Sequence, residues 1–175
     1  MLRPLALSCC ALAIALSGCA GLKAKKPIEV RVAATAGNNV SGTMTATSVT
    51  GGVRFMGRLT GLEPGSTHGF HVHEHGDCTA SDASSAGGHF NPTGGEHGDP
   101  QGMTHHAGDI PNQVADAHGG VDVDATVRGL SLGTGTSDDV LGRALVVHAD
   151  PDDYTTQPSG NSGARIACGV ILRKP

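Results

Sequence analysis

From residue 28 onward the chain runs in short stretches where apolar and polar side chains alternate. Residues 28–36 open as Ile-Glu-Val-Arg-Val, the two-residue period of a strand with one buried face. Residues 40–49 place Thr at alternate positions, and strand-like runs follow at 53–60 and 67–73. Asn38-Asn39, Gly51-Gly52 and Pro64-Gly65 punctuate these runs as turns do. After a long interruption the pattern returns at residues 110–117 and 120–127, folded back at His118-Gly119-Gly120. Two apolar runs close the chain, at 142–148 and 164–172. No stretch sustains a helical period. Eight short strands between turn signals predict an all-β antiparallel sandwich or barrel. With no Trp, one Tyr and three Phe, its core has to be filled mainly by Val, Ile, Leu and Ala.

The interruption carries the chemistry. Residues 68–109 hold eight of the ten histidines, in a setting of Gly, Pro, Ser and Asp that predicts loop. A loop this long needs something to fix it or a function to carry, and metal ions would supply both. His71 and His73 stand two apart on a predicted strand, so both imidazoles share one face. His89 sits in Gly-Gly-His-Phe-Asn-Pro, where paired glycines free the backbone. His97, His106 and Asp109 follow in the loop, and His148 ends a later strand. Three histidines with an aspartate suit tetrahedral zinc, and a histidine set with an open position suits copper.

The first 19 residues, MLRPLALSCCALAIALSGC, combine Arg3, an apolar run and small residues before a cysteine. This predicts a signal peptide over residues 1–18 rather than a membrane span. Leu16-Ser17-Gly18-Cys19 resembles a bacterial lipobox, with Cys19 as the lipidated mature N-terminus. Ordinary secretion with cleavage near Ala20 is the alternative. Residues 19–27 would then be a lipidated N-terminus and linker, and 28–175 the domain. The expected location is the periplasm or cell envelope, tethered to a membrane. Once the leader is cut and Cys19 lipidated, Cys78 and Cys168 remain for a disulfide in an oxidising compartment. The net charge is −4, and the only lysines are Lys23, Lys25, Lys26 and Lys174, which excludes a nucleic-acid footprint.

Taken together, His71-x-His73, the His89 motif, His97, His106-x-x-Asp109, Val-Val-His148 and Gly-Asn-Ser-Gly-Ala-Arg165-Ile-Ala-Cys168-Gly-Val resemble the bacterial Cu,Zn superoxide dismutases. The resemblance runs from residue 28 to 172. It implies an eight-stranded antiparallel Greek-key sandwich or barrel with long metal-binding loops. It further implies copper on His71, His73, His89 and His148, and zinc on His89, His97, His106 and Asp109. Cys78 would pair with Cys168. The implied reaction is disproportionation of superoxide to oxygen and hydrogen peroxide, protecting the envelope, with His89 and Arg165 as catalytic residues. His89 would be shared by both metals and take up a proton, and Arg165 would draw in and hold the anion. By the same resemblance, Asp152 links a copper histidine to a zinc histidine, His71 to His97, and His68 braces the strand before the copper pair.

Three histidines fall outside this scheme. His118 reads as a solvated turn residue and His75 as an exposed loop side chain. His105 adjoins His106 and could trade places with it on a register slip; the spacing from His97 and Asp109 selects His106. One departure from the family is the lack of any lysine between Lys26 and Lys174, so anion steering rests on Arg165, the metals and other arginines. A copper- and zinc-carrying lipoprotein without catalysis is the competing reading. An anion-binding Arg165 and an intact ligand set speak for the enzyme. A homodimer is left open.

Overall fold

A computed structural model describes residues 26–173. The expected signal peptide, Cys19 and the linker up to residue 25 lie outside the described residues. Eight strands form in chain order: β1 Ile28–Ala34, β2 Ser41–Val49, β3 Gly52–Thr60, β4 Thr67–His73, β5 Asp109–Val114, β6 Val121–Arg128, β7 Ala144–His148 and β8 Arg165–Val170. Every strand expected from the sequence is present, with ends moved by at most three residues. β1 stops short of residue 36 because Asn38 N–H bonds back to Thr35 O in a turn through Gly37, whose φ is +79°. One short 3-10 turn, Ser84–Ala86, was not anticipated.

All strand pairings are antiparallel, and the hydrogen-bonded order is β5-β4-β7-β8-β1-β2-β3-β6. β1, β2, β3 and β6 form one half, and β5, β4, β7 and β8 the other. The halves are stitched by a two-residue seam, Ala33 opposite Cys168 and Ala34 opposite Ala167. The outer strands β5 and β6 also touch, so the barrel is nearly closed. The crossings β3 to β4 and β6 to β7 make it a Greek key.

The alternating strands work as their pattern requires. β1 buries Ile28, Val30 and Val32, and β6 buries Val121, Val123, Ala125 and Val127, with charged or polar residues between them facing out. β4 is different, since six of its seven residues are buried. Phe70 and Val72 enter the main core between the two halves. His71 and His73 therefore point to the opposite face, away from that core. On that face Ala144 and Val146 of β7 and Cys168 of β8 pack against Ala83 and Ala86 of the loop between β4 and β5. The barrel thus has a second small apolar layer beneath its loops, and the histidines lie beside it. Cys78 and Cys168 form a disulfide with Cα atoms 5.8 Å apart, fastening that loop to β8.

Candidate metal centre

β4 supplies His71 and His73, β7 ends at His148, and β5 begins at Asp109. His71 pairs with Asp109 across β4 and β5, and His73 forms an isolated bridge with His89. That bridge pulls the loop carrying His89 back over the barrel. The result is two overlapping groups of ligand atoms, His71–His73–His89–His148 and His89–His97–His106–Asp109, each drawn within 4.8 Å. All seven residues are buried.

The hydrogen bonds settle which nitrogen of each ring stays free. His73 Nδ1 donates to Gly87 O at 2.9 Å, and His148 Nδ1 approaches Gly163 O at 3.3 Å. Their Nε2 atoms then face each other as lone pairs at 3.2 Å. A proton between them would require a charged imidazole. Burial pushes His73 well below its ordinary value and His148 down to about 4, so neither ring takes that charge near neutral pH. Two acceptors held face to face, with no proton to share, suit a cation. His71 and His97 send their Nε2–H groups to the two oxygens of buried Asp152, at 2.8 and 2.9 Å. Both Nδ1 atoms are therefore the free ones. Burial lowers His71 as well, with His89 and His148 acting in the same direction.

Among the described residues, four buried nitrogens have no hydrogen-bond partner: His71 Nδ1, His89 Nε2, His97 Nδ1 and His106 Nδ1. Orphaned buried polar atoms are costly in a folded protein. Here they converge in the two groups, two on each side. Asp109 Oδ2 comes within 3.0 Å of His97 Nδ1, yet that pair lacks hydrogen-bond alignment, so proximity rather than bonding describes it. Burial by itself would raise the Asp109 carboxyl, but the hydrogen bond from His89 Nδ1 at 2.8 Å, the neighbouring imidazoles and the His106 N–H together outweigh it, and the group stays lowered. A three-histidine, one-carboxylate set fits zinc, and an all-imidazole set fits copper.

His73, His89, His106, His148, Glu74 and Arg165 line part of a solvent-facing cavity of about 520 Å³. Arg165 starts β8 opposite His148. Its Nη1 donates to Ala83 O at 2.6 Å and its Nη2 to Gly87 O at 2.5 Å, which fixes the guanidinium at the cavity wall. The Gly87 carbonyl thus serves both Arg165 and His73. Gly87 adopts φ +74° with ψ −155°, and a Cβ there would strike Glu74 and His75. Gly160, at φ +64°, is likewise required, because a Cβ would run into Asp152 and His97.

The remaining histidines lie outside both groups. His105 is half-buried outside both groups and bonds to His106 O at 2.7 Å, so His106 is the clustered one. His75 is exposed beside Glu74, and His118 is exposed in the β5–β6 turn. His68 is buried and donates from Nδ1 to His148 O at 2.8 Å. Several supports escaped the sequence reading. Arg143 lies 4.5 Å over the Phe90 ring, next to His89, and donates to Glu74 O. The Ala83 and Gly87 carbonyls and the Gln157 amide are others. Main-chain carbonyls leave no mark in residue identity. Arg143, in the run Gly-Arg-Ala-Leu-Val-Val-His, was the one visible signal, as a cation entering an apolar strand.

Fold and site together define a β-barrel with two abutting sets of residues able to hold metal ions. The chain belongs to the copper/zinc superoxide dismutase family, whose model matches residues 40–171. Copper and zinc are the metals of that enzyme family, and the two ligand sets accommodate both. A superoxide dismutase-like protein of Bacillus subtilis, YojM, is 49% identical over 114 residues, covering 63% of this chain and 58% of the relative. The match thus spans little more than half of that relative's length. A Cu-Zn superoxide dismutase of Mesembryanthemum crystallinum is 43% identical over 141 residues, covering 77% of this chain and 88% of the relative. The crystal structure of a SOD-like protein from Bacillus subtilis superposes with a TM-score of 0.75 at 42% identity, covering 82% of this chain and 97% of that one.

Proposed function

We propose that the chain catalyses disproportionation of superoxide, two anions and two protons yielding oxygen and hydrogen peroxide. His71, His73, His89 and His148 would hold copper, and His89, His97, His106 and Asp109 would hold zinc. The observation that carries this reading is Arg165, tied to two carbonyls on the wall of the cavity that His73, His89 and His148 also line. A metal carrier has no use for a fixed cation there; an enzyme for a small anion does.

Copper, when bound, would exchange one electron in each direction, oxidising one superoxide and reducing the next. The chain's own residues do the rest. Arg165 attracts the anion and orients it through charge-assisted hydrogen bonds. His89 lines the cavity while its Nδ1 is engaged on the Asp109 side, so a proton it takes up belongs on its Nε2. Asp152 and the Gly87 carbonyl keep the proton-bearing nitrogens of His71, His97 and His73 turned away from the metals.

The test is Arg165→Ala and Arg165→Lys in proteins of matched metal content, followed by pulse radiolysis across ionic strength. The alanine variant should keep both metals and lose roughly tenfold or more in rate constant, about 1.5–3 kcal/mol for a hydrogen bond to a charged group. Lysine should recover part of it, because the charge survives and the fork does not. Salt should slow the wild type more than the alanine variant. An alanine variant equal to wild type in rate and salt response would overturn the enzyme reading in favour of the carrier.

The site of action we infer is the cell envelope, with Cys19 diacylated and the chain membrane-tethered to intercept superoxide there; the motive is the Leu16-Ser17-Gly18-Cys19 sequence. Intact mass of the mature chain decides it. A mature N-terminus at or after Ala20 with no lipid mass would refute the tether.

A further inference from the structure

Three side-chain amides in this protein make one kind of contact. Asn91 donates to Gly95 O at 2.8 Å and accepts Gly95 N–H at 3.1 Å. Asn112 donates to Asp152 O at 2.8 Å and accepts Asp152 N–H at 2.9 Å. Gln157 donates to His97 O at 2.8 Å and accepts His97 N–H at 2.9 Å. Each carboxamide occupies both polar main-chain groups of one residue, as a neighbouring strand would, where no strand is present. Two of the clasped residues are joined to each other, His97 Nε2 to Asp152 Oδ1.

His97 needs such help. It lies in the 74–108 loop, between Gly94-Gly95 and Gly98, and no main-chain to main-chain bond holds it among the described residues. A glycine-flanked residue without ladder bonds wanders over many backbone conformations. Yet its ring is buried and its Nδ1 is one of the orphaned nitrogens. The ring is anchored at one end by Asp152 and the main chain by Gln157. These two anchors fix the direction of Nδ1.

We propose that Gln157 and Asn112 are positioning residues for the zinc set, clasping the main chains of His97 and Asp152 so that His97 Nδ1 is aimed before the ion arrives. The proposal rests on the zinc set named above. It assigns the two clasps different reach. Among the residues of the two metal sets and Asp152, Gln157 bonds only to His97, its Nε2 also donating to Thr155 O at 3.5 Å. Asn112 acts through Asp152, whose other oxygen holds His71 of the copper set. Asn112 N–H also donates to Tyr154 OH at 2.8 Å, and Tyr154 N–H donates to Asp152 Oδ1 at 2.7 Å, which closes a small ring of bonds around Asp152.

The experiment is competition of the full mature protein with chromophoric chelators, run for zinc and copper separately. Supports behind a metal ligand are commonly worth ten- to a hundredfold in affinity. Gln157→Ala should raise the zinc Kd about tenfold or more and leave the copper Kd within about threefold. Asn112→Ala should raise both. Cobalt(II) in the zinc set should show altered visible bands in both variants, a change that general loss of stability does not produce. Gln157→Asn keeps the amide but is one methylene too short to clasp. It should behave like the alanine variant, and it serves as the test if that variant does not fold. A Gln157 variant that is folded and binds zinc within about threefold of wild type, or that weakens both metals equally, overturns the proposal. Wild-type protein that binds no zinc would overturn this proposal and the zinc assignment together. Tight wild-type binding with unaltered variants would overturn the clasps alone.

Discussion

Asp152 is the point at which one substitution should disturb both metals without removing a ligand. Its side chain is fully buried, and the carboxylate accepts three hydrogen bonds: His71 Nε2 at 2.8 Å on one oxygen, and His97 Nε2 at 2.9 Å with Tyr154 N–H at 2.7 Å on the other. In Asp152→Ala both imidazoles lose the acceptor that keeps the proton on Nε2. Each ring can then carry its proton on Nδ1, the atom meant for the metal, and each is free to rotate. Loss of such a partner costs about ten- to a hundredfold in metal affinity, or roughly 1.4–2.7 kcal/mol per metal. Asp152→Asn sharpens the argument, because an amide has a single oxygen facing two imidazole donors. At most one of the two rings keeps its acceptor, so at least one metal must weaken by the same ten- to hundredfold. The assay is chelator competition at fixed pH, with each metal titrated into protein loaded with the other. Folding of the metal-free variants is checked by thermal melts. Asp152→Ala binding both metals within about threefold of wild type would refute the tautomer argument, and Asp152→Asn retaining both would refute it independently.

Two further predictions concern Asp139, away from the metals. Its carboxylate accepts four main-chain N–H groups, from Gly133, Thr134, Gly135 and Leu141, at 2.7–2.9 Å. Asp139→Ala should cost about 1.5–3 kcal/mol or somewhat more, seen as a lower Tm in thermal melts of metal-free protein, and an unchanged Tm would contradict the role. Burial alone would raise this carboxyl, but the four donors outweigh it and hold it below 3.8. A depressed folded-state value means that its contribution is complete above about 3.8 and disappears as pH falls through that lower value. The Tm gap between wild type and Asp139→Asn should therefore be constant from pH 7 to about 5 and shrink below 4; a gap that widens on acidification would reverse the sign and sink the account.

The alternation of residues along single strands was legible without any coordinates. Period two put His71 and His73 on one face and Phe70 and Val72 on the other, and the structure uses both faces as that period requires. Strand existence was readable for the same reason, since burial of one face is a local property of every second residue. The family motifs pointed to the seven residues that the fold gathers into two groups, and to Arg165, and selected His106 over its neighbour His105. That selection rested on spacing to Asp109, which a turn of fixed length converts into distance: Asp109 N–H bonds to His106 O at 3.1 Å.

Pairing order and everything made by main-chain atoms had to wait for the fold. Nothing in a strand's own residues says that β8 lies between β7 and β1, because ladder hydrogen bonds are the same whatever the side chains. The carbonyls of Ala83 and Gly87 aim Arg165, and a carbonyl is present at every position, so residue identity cannot mark the two that matter. Gly87 and Gly160 look like any loop glycines until a Cβ built on them meets Glu74 or Asp152. Gln157 is separated from His97 by 60 positions, and an amide shows its value only when both its bonds find the same residue. The sequence determined which chemical groups the protein owns and which face of its own strand each takes. Tertiary structure alone decided which lone pairs are left without a proton, because that depends on acceptors brought from distant parts of the chain.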